Sequence, residues 1–499
     1  MAYYLPLAVC TSLLVVFYFT KVRQDRRRLP FPPGPKPWPL IGNVLDIPTS
    51  TSWYTYTKWS KIYNSNMLYV NPFGQKLLIL NSFEDAEELM DVRSANSSGR
   101  PFNPMMQLIG LDAHTAFMGK TPLWRKHRTM LRQSLGKQAL IRQHHVFEKK
   151  VAELVHKIAT DPGNFRGHCK AYGPAIAMDV FYGYDLVDND DPLLIQTLKV
   201  VDQATDALLP GVFLVNTFPF LRYLPRWFPG AGFHDRAADT RRITVHIRDT
   251  PFDRAVKNLS QGVGRPSIVT EWLRQDKVDE DCAKLAKDVA IGALEAVIET
   301  TSATLDAFCL ALTLNPEVQK IAQEEIRQVV GTTVLPTLRD RPFMPYLEAI
   351  YRETLRWAPP TPLGVPHTTA EDDVYNGYLI PAGTVVVANI WAMTRNEKKY
   401  PEPEAFRPGR FLDPDGTLNH DDRVLTFGFG RRICAGKDLA SEIVWLAMAN
   451  ILATFNISKA NDENGNEIEV LPKFIGEAVS HPAPFECAIK LRRELEGVL

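Results

Sequence analysis

The stretch that most constrains this chain is Phe427-Gly428-Phe429-Gly430-Arg431-Arg432-Ile433-Cys434-Ala435-Gly436. It is a glycine-rich loop that ends on a cysteine. A helical pattern follows at once from Lys437 to Leu452, with Leu439, Ile443, Leu446 and Ala447 on one face. A thiol at a helix start feels the dipole and the free amide donors, which favour its thiolate. Arg431 and Arg432 add positive charge in the same sense. Gly430 and Gly436 lack a Cβ, so the backbone can turn tightly and lie close to a flat group. Taken alone, a cysteine in a loop is most often a small buried hydrophobe. Here Phe, Gly, Arg, Cys and Gly fall in the order F-x-x-G-x-R-x-C-x-G. Spacing alone gives an activated thiol on a helix start.

That decapeptide resembles the cysteine loop of the cytochrome P-450 family. The resemblance implies a haem b, iron protoporphyrin IX, with Cys434 as the axial ligand of its iron. Phe427 would pack on the ring, with Gly430 and Gly436 against it, and Arg432 would pair with a propionate. Further matches follow the family's order. Trp124 and Arg128, four apart on a basic helix, fit W-x-x-x-R, whose side chains hold a propionate. Glu353 and Arg356 fit E-x-x-R, and Phe406 to Phe411 supplies F-x-P-x-R-F, with Arg410 as its arginine. In the family these form a buried, structural Glu-Arg-Arg cluster. His367 is a further candidate donor to the second propionate, with no spacing to pin it.

Asp288 to Leu314 reads as a long apolar helix with Glu299-Thr300-Thr301-Ser302 in its middle. Threonines back-bonded to carbonyls are the plain reading of such a run. The resemblance makes Glu299 and Thr300 the catalytic pair that relays protons during oxygen activation. The family pattern A/G-G-x-D/E-T is met only in part, because Val297 stands where glycine is usual. A branched side chain there is expected to narrow the pocket.

Charge and cysteine usage exclude several classes. The 57 basic and 57 acidic residues balance, which argues against a nucleic-acid partner. The six cysteines, Cys10, Cys169, Cys282, Cys309, Cys434 and Cys487, show no C-x-x-C spacing, against structural zinc and a disulfide framework. No G-x-G-x-x-G dinucleotide loop is present, so electrons must come from outside. The resemblance implies a separate NADPH-dependent flavoprotein reductase.

Tyr3 to Thr20 carries no formal charge, and Lys21, Arg23, Arg26, Arg27 and Arg28 follow. This reads as one membrane span with the remainder on the cytoplasmic side. Leu29 to Pro39 holds six prolines and reads as a stiff strut. The expected organisation is an anchor over 1–20, a basic, proline-rich hinge over 21–45 and a catalytic domain over 46–499. Two short strands are expected at Asn66–Val70 and Lys76–Leu80, and a hairpin turn at Asn376-Gly377. Phe102–Leu111 reads as a greasy loop. Leu208–Leu221, split by Pro210, Gly211 and Pro219, either covers a pocket or dips into a bilayer.

The expected fold is the cytochrome P-450 fold, mainly α with a small β-rich part. The expected activity is a haem-thiolate monooxygenase in the endoplasmic reticulum membrane. It would oxidise a hydrophobic small molecule, terpenoid or aromatic, in fungal secondary metabolism. Haem-thiolate chemistry without net oxygen insertion, and a haem-binding sensor, are the alternatives.

Overall fold

The computed structural model describes residues 29–186, 190–209, 211–275 and 280–492. The anchor expected over 1–20 lies outside the described residues. Among those described, one helix is long and apolar enough to cross a membrane, Glu280–Leu314, and 83% of its most apolar window is buried. It is the central helix of the core. It begins at Glu280 rather than Asp288, because its first turns are charged and carry no apolar period.

The core is helix on helix. The central helix packs most extensively on the helix Phe165–Tyr182. Gly173 permits the approach, since a Cβ there would stand 3.0 Å from the Val297 carbonyl and 3.4 Å from Thr301 Cβ. The helices His144–Thr160, Pro345–Trp357 and Lys437–Thr454 contribute to the same apolar cluster. In the last of these Leu439, Ile443, Leu446 and Ala447 are all buried, as their spacing predicts.

The β part is small. β1 (Met67–Val70), β2 (Leu77–Leu80), β3 (His367–Thr368) and β6 (Val385–Ala388) form a sheet in the order β1-β2-β6-β3. β2 and β6 are parallel and the other pairs antiparallel. β4 (Asp373–Tyr375) and β5 (Tyr378–Ile380) make the expected hairpin, with Asn376 at φ 51° and Gly377 at φ 78°. Both positive φ values suit a primed two-residue turn.

The proline-rich segment is not a free strut from Pro30 onward. Tyr69 N–H donates to the Pro33 carbonyl at 3.0 Å and Leu379 N–H to the Pro30 carbonyl at 2.9 Å. Phe31 stacks on Tyr69 with ring centroids 4.6 Å apart. The segment from Pro30 thus packs on β1 and on the strand that begins at Tyr378. The expectation of a loop over Phe102–Leu111 is also corrected. Pro104–Leu108 is a short helix, capped by Asn103, whose side chain accepts from Met106 N–H. Pro at the first helical position and Asn before it are helix-start signals.

Candidate functional site

The loop before Cys434 is held by its backbone. Cys434 N–H donates to the Phe427 carbonyl at 2.8 Å. Gly428 has φ 79° and Gly430 φ 52°, and Gly436, at φ −96°, meets no neighbouring atom where a Cβ would stand. At Gly430 a Cβ would collide with the Met90 carbonyl. The close approach to other parts of the chain that Gly430 permits is to the segment Glu87–Val92. Phe427 is half-buried and packs against the main core cluster.

Cys434 is accessible within the fold. Burial by the surrounding chain pushes its thiol up, while the Gly436 amide and then Arg128 and Lys437 work the other way. Arg128 and Lys437 are the cations that lower it. Arg128 is placed by the helix Pro122–Leu135, whose start Thr121 caps by accepting from Trp124 N–H. Its Nη1 donates to the Ile433 carbonyl at 2.7 Å, beside the cysteine.

Behind this lies a cluster of cations that meets no carboxylate among the described residues. Arg432 Nε donates to the Ser98 carbonyl at 2.9 Å, and its guanidinium stands 4.0 Å above the Trp124 ring. Its Nη1 and Nη2, and Trp124 Nε1, are buried with no partner. Arg100, which no sequence motif marks, joins them. Its Nη1 donates to the Val365 and Pro366 carbonyls and its Nε to Ala116. A Cβ on Gly99 would collide with Thr368, so the bare glycine brings Arg100 against β3. Burial lowers the pKa of Arg432 to about 10 and that of Arg100 to about 9, and neighbouring guanidiniums add to both effects. His367 on β3 donates Nδ1–H to the Ser97 carbonyl at 2.8 Å. Burial, then Arg100, lowers it to about 3, so the ring is neutral and its Nε2 is an acceptor. Unpaired buried donors cost free energy until an acceptor meets them. This cluster fits an anionic group such as the paired propionates of haem.

On the central helix, Ala296 is exposed and Thr300 half-buried although the helix is a core element. Thr300 Oγ1 donates to the Ala296 carbonyl at 2.8 Å. Those two positions mark its open face. Val297 is only 8% exposed and lies at the contact with Gly173. Its carbonyl faces Gly173, and its side chain belongs to the buried apolar cluster rather than to the open face marked by Ala296 and Thr300. Glu299 is half-buried and turned to another side. Its Oε2 lies 2.9 Å from His481 Nε2 and its Oε1 3.3 Å from Lys170 Nζ.

Glu353, Arg356 and Arg410 do come together. Arg356 donates to both oxygens of Glu353 at 2.6 and 2.9 Å, and Arg410 Nε to Oε1 at 3.2 Å. Arg407 N–H adds a donor at 2.7 Å. Glu353 is fully buried.

Comparison with known proteins agrees with this geometry. A family model described as Cytochrome P450 matches residues 32–487. A cytochrome P450 monooxygenase of Armillaria gallica is 37% identical over 97% of this chain and 96% of its own. The cytochrome P450 monooxygenase ple1 of Rhodocybe pseudopiperita is 37% identical over 99% of this chain and 95% of its own. One from Postia placenta is 34% identical over 96% and 94%.

Proposed function

The chain belongs to the cytochrome P450 family and is a monooxygenase, and from that premise we propose a membrane-associated fungal enzyme that oxidises a hydrophobic secondary metabolite with electrons from an NADPH-dependent flavoprotein reductase. The observation that carries the site assignment is the cluster of Arg100, Arg128 and Arg432, which has no carboxylate partner among the described residues. Arg100, Arg128, Arg432 and Trp124 would hold the propionates, and Cys434 would bind the iron. Bound haem supplies oxygen activation, with the thiolate favouring O–O cleavage.

The chain's own residues do the rest. Thr300, on the open face of the central helix, carries a hydroxyl that can accept and pass a proton, and Glu299 beside it is the acid. Met105, Met106, Ile109, Leu111, Phe213 and Val215 share one apolar cluster with the central helix. As one wall of a substrate pocket they would exclude water and suit a terpenoid or aromatic substrate. Glu353, Arg356 and Arg410 are structural.

Two surfaces support the partners. Leu214, Phe220, Tyr223 and Trp227 are 62%, 65%, 74% and 81% exposed, and Phe218 packs on Phe73 with ring centroids 5.0 Å apart. Aromatic side chains in this density suit a lipid interface, consistent with an anchor over residues 1–20 in the endoplasmic reticulum membrane. Arg125, Lys126, Arg431 and Lys437 are exposed around the cysteine side and suit an acidic reductase face.

The test is reconstitution of the full chain with a fungal reductase, NADPH and a panel of terpenoid and aromatic precursors. Products heavier by one oxygen atom, labelled from isotopic oxygen gas, are expected. NADPH use that yields only desaturated or rearranged products would replace oxygen insertion by the alternative chemistry.

A further inference from the structure

Glu299 has a partner that no motif predicts, 182 residues away in the chain. His481 lies on β9 (Ser480–Pro482), which pairs with β8 (Phe474–Gly476). Its Nε2 lies 2.9 Å from Glu299 Oε2, and its Nδ1 lies 3.8 Å from Asp306 Oδ2. Both carboxylates belong to the central helix, so one imidazole is clamped along it. The exposure falls inward, from 25% for the His481 side chain to 17% for Glu299 and 7% for Asp306.

A simple tie between strand and helix does not account for this pair. Arg166 already makes that tie, with Nε donating to Asp306 at 3.1 Å and Nη2 to the Pro482 carbonyl at 3.0 Å. What His481 adds is an ionisable, 25% exposed ring whose Nε2 meets the carboxylate of Glu299, the residue before Thr300 in the chain. We propose that His481 is a positioning residue that orients Glu299 and returns its proton, making the Ser480–Pro482 strand part of the proton path. This rests on the reading of Glu299 as the acid of the site. In the step, Nε2–H of the imidazolium passes to Glu299 Oε2, and the ring keeps Nδ1–H toward Asp306. Nε2 then regains a proton from solvent, to which the His481 side chain is 25% exposed. No electron moves, and the proton is one that monooxygenation consumes in forming water.

The surrounding charges are consistent with this. Burial disfavours charge on His481, but Asp306 and Glu299 outweigh it and push its pKa up to about 9. Burial would raise Glu299, but His481 and then Lys170 hold it below the usual carboxylate range. The other groups facing the pair are Arg166 and Lys170 on the helix Phe165–Tyr182 and Asp202 on the helix Pro192–Leu208. The folded value of His481 is raised, so the clamp is fully formed below the ordinary imidazole range. It is lost as pH rises through about 9.

The experiment compares wild-type, His481→Asn and Glu299→Gln holoenzymes. One readout is independent of turnover: carbon-13 histidine NMR of the reduced carbon monoxide form, with the signal missing in His481→Asn identifying the residue. We expect it to titrate near pH 9 in the wild type and at least about one unit lower in Glu299→Gln. Coupled turnover of His481→Asn should fall about tenfold, with a larger solvent deuterium isotope effect and without the alkaline limb. An unchanged titration in Glu299→Gln, or His481→Asn turnover within about twofold of wild type across that pH range, overturns the role of His481 alone. If Glu299→Gln itself leaves turnover and isotope effect unchanged, the reading of Glu299 as the acid falls with it.

Discussion

Val297 shows how a single position reads differently once its neighbours are known. In sequence it replaces a glycine in the middle of an otherwise matching pattern, which points to the pocket. In space its carbonyl faces Gly173, its side chain is buried in the main apolar cluster, and the open positions are Ala296 and Thr300. Val297→Gly should therefore leave the product distribution unchanged. It should destabilise the fold by about 2 kcal/mol, through glycine's backbone entropy and lost apolar burial. Guanidinium unfolding and product profiling check this together, and a changed profile at unchanged stability would put the side chain back in the pocket. Cys434 stands out in the sequence because loop spacing and helix start converge on it, whereas Arg128, which donates to Ile433 beside it, comes from a helix, 305 residues before that isoleucine. Arg100 does not stand out, because a lone arginine before proline carries no spacing, and its place depends on Gly99 lying bare against Thr368. His367 carries no spacing of its own, and what sets its protonation in the fold is burial beside Arg100.

At the scale of elements, local signals were reliable where they were local. The hairpin at Asn376-Gly377 and the cap at Ser82, which accepts from Asp85 N–H, follow from turn and cap chemistry. Asn315 has its proline at the first helical position, yet its side chain turns back to the Ala311 carbonyl at 2.8 Å instead of capping forward. The Glu353 cluster joins a helix to the Pro408–Phe411 turn, and only the long-range fold brings Arg410 to it. Replacing Glu353 with Gln leaves two guanidiniums without their counter-charge in a buried place. The expected loss is about 3–5 kcal/mol of stability, with haem content falling in parallel. Thermal unfolding of Glu353→Gln checks this, and a melting temperature equal to wild type would reduce the cluster to a surface ornament.

At the scale of the whole molecule, the fold places a basic face near the cysteine and an aromatic face at Leu214–Trp227. Charge reversal at Arg125 and Lys126 should slow reduction by the reductase several-fold, and added salt should slow it in the unmodified protein. Stopped-flow reduction across a salt series measures this, and a flat series would remove electrostatic docking from the account. These faces were only partly legible, because which exposed residues share a side depends on packing between distant elements. The central claim is that Cys434 ligates a haem held by the arginine cluster, and the carbon monoxide difference spectrum of the reduced full chain tests it most directly. The account predicts a thiolate-type Soret band in the wild type that is lost in Cys434→Ser. A wild-type protein without that band, or a Cys434→Ser protein that keeps it, would contradict it.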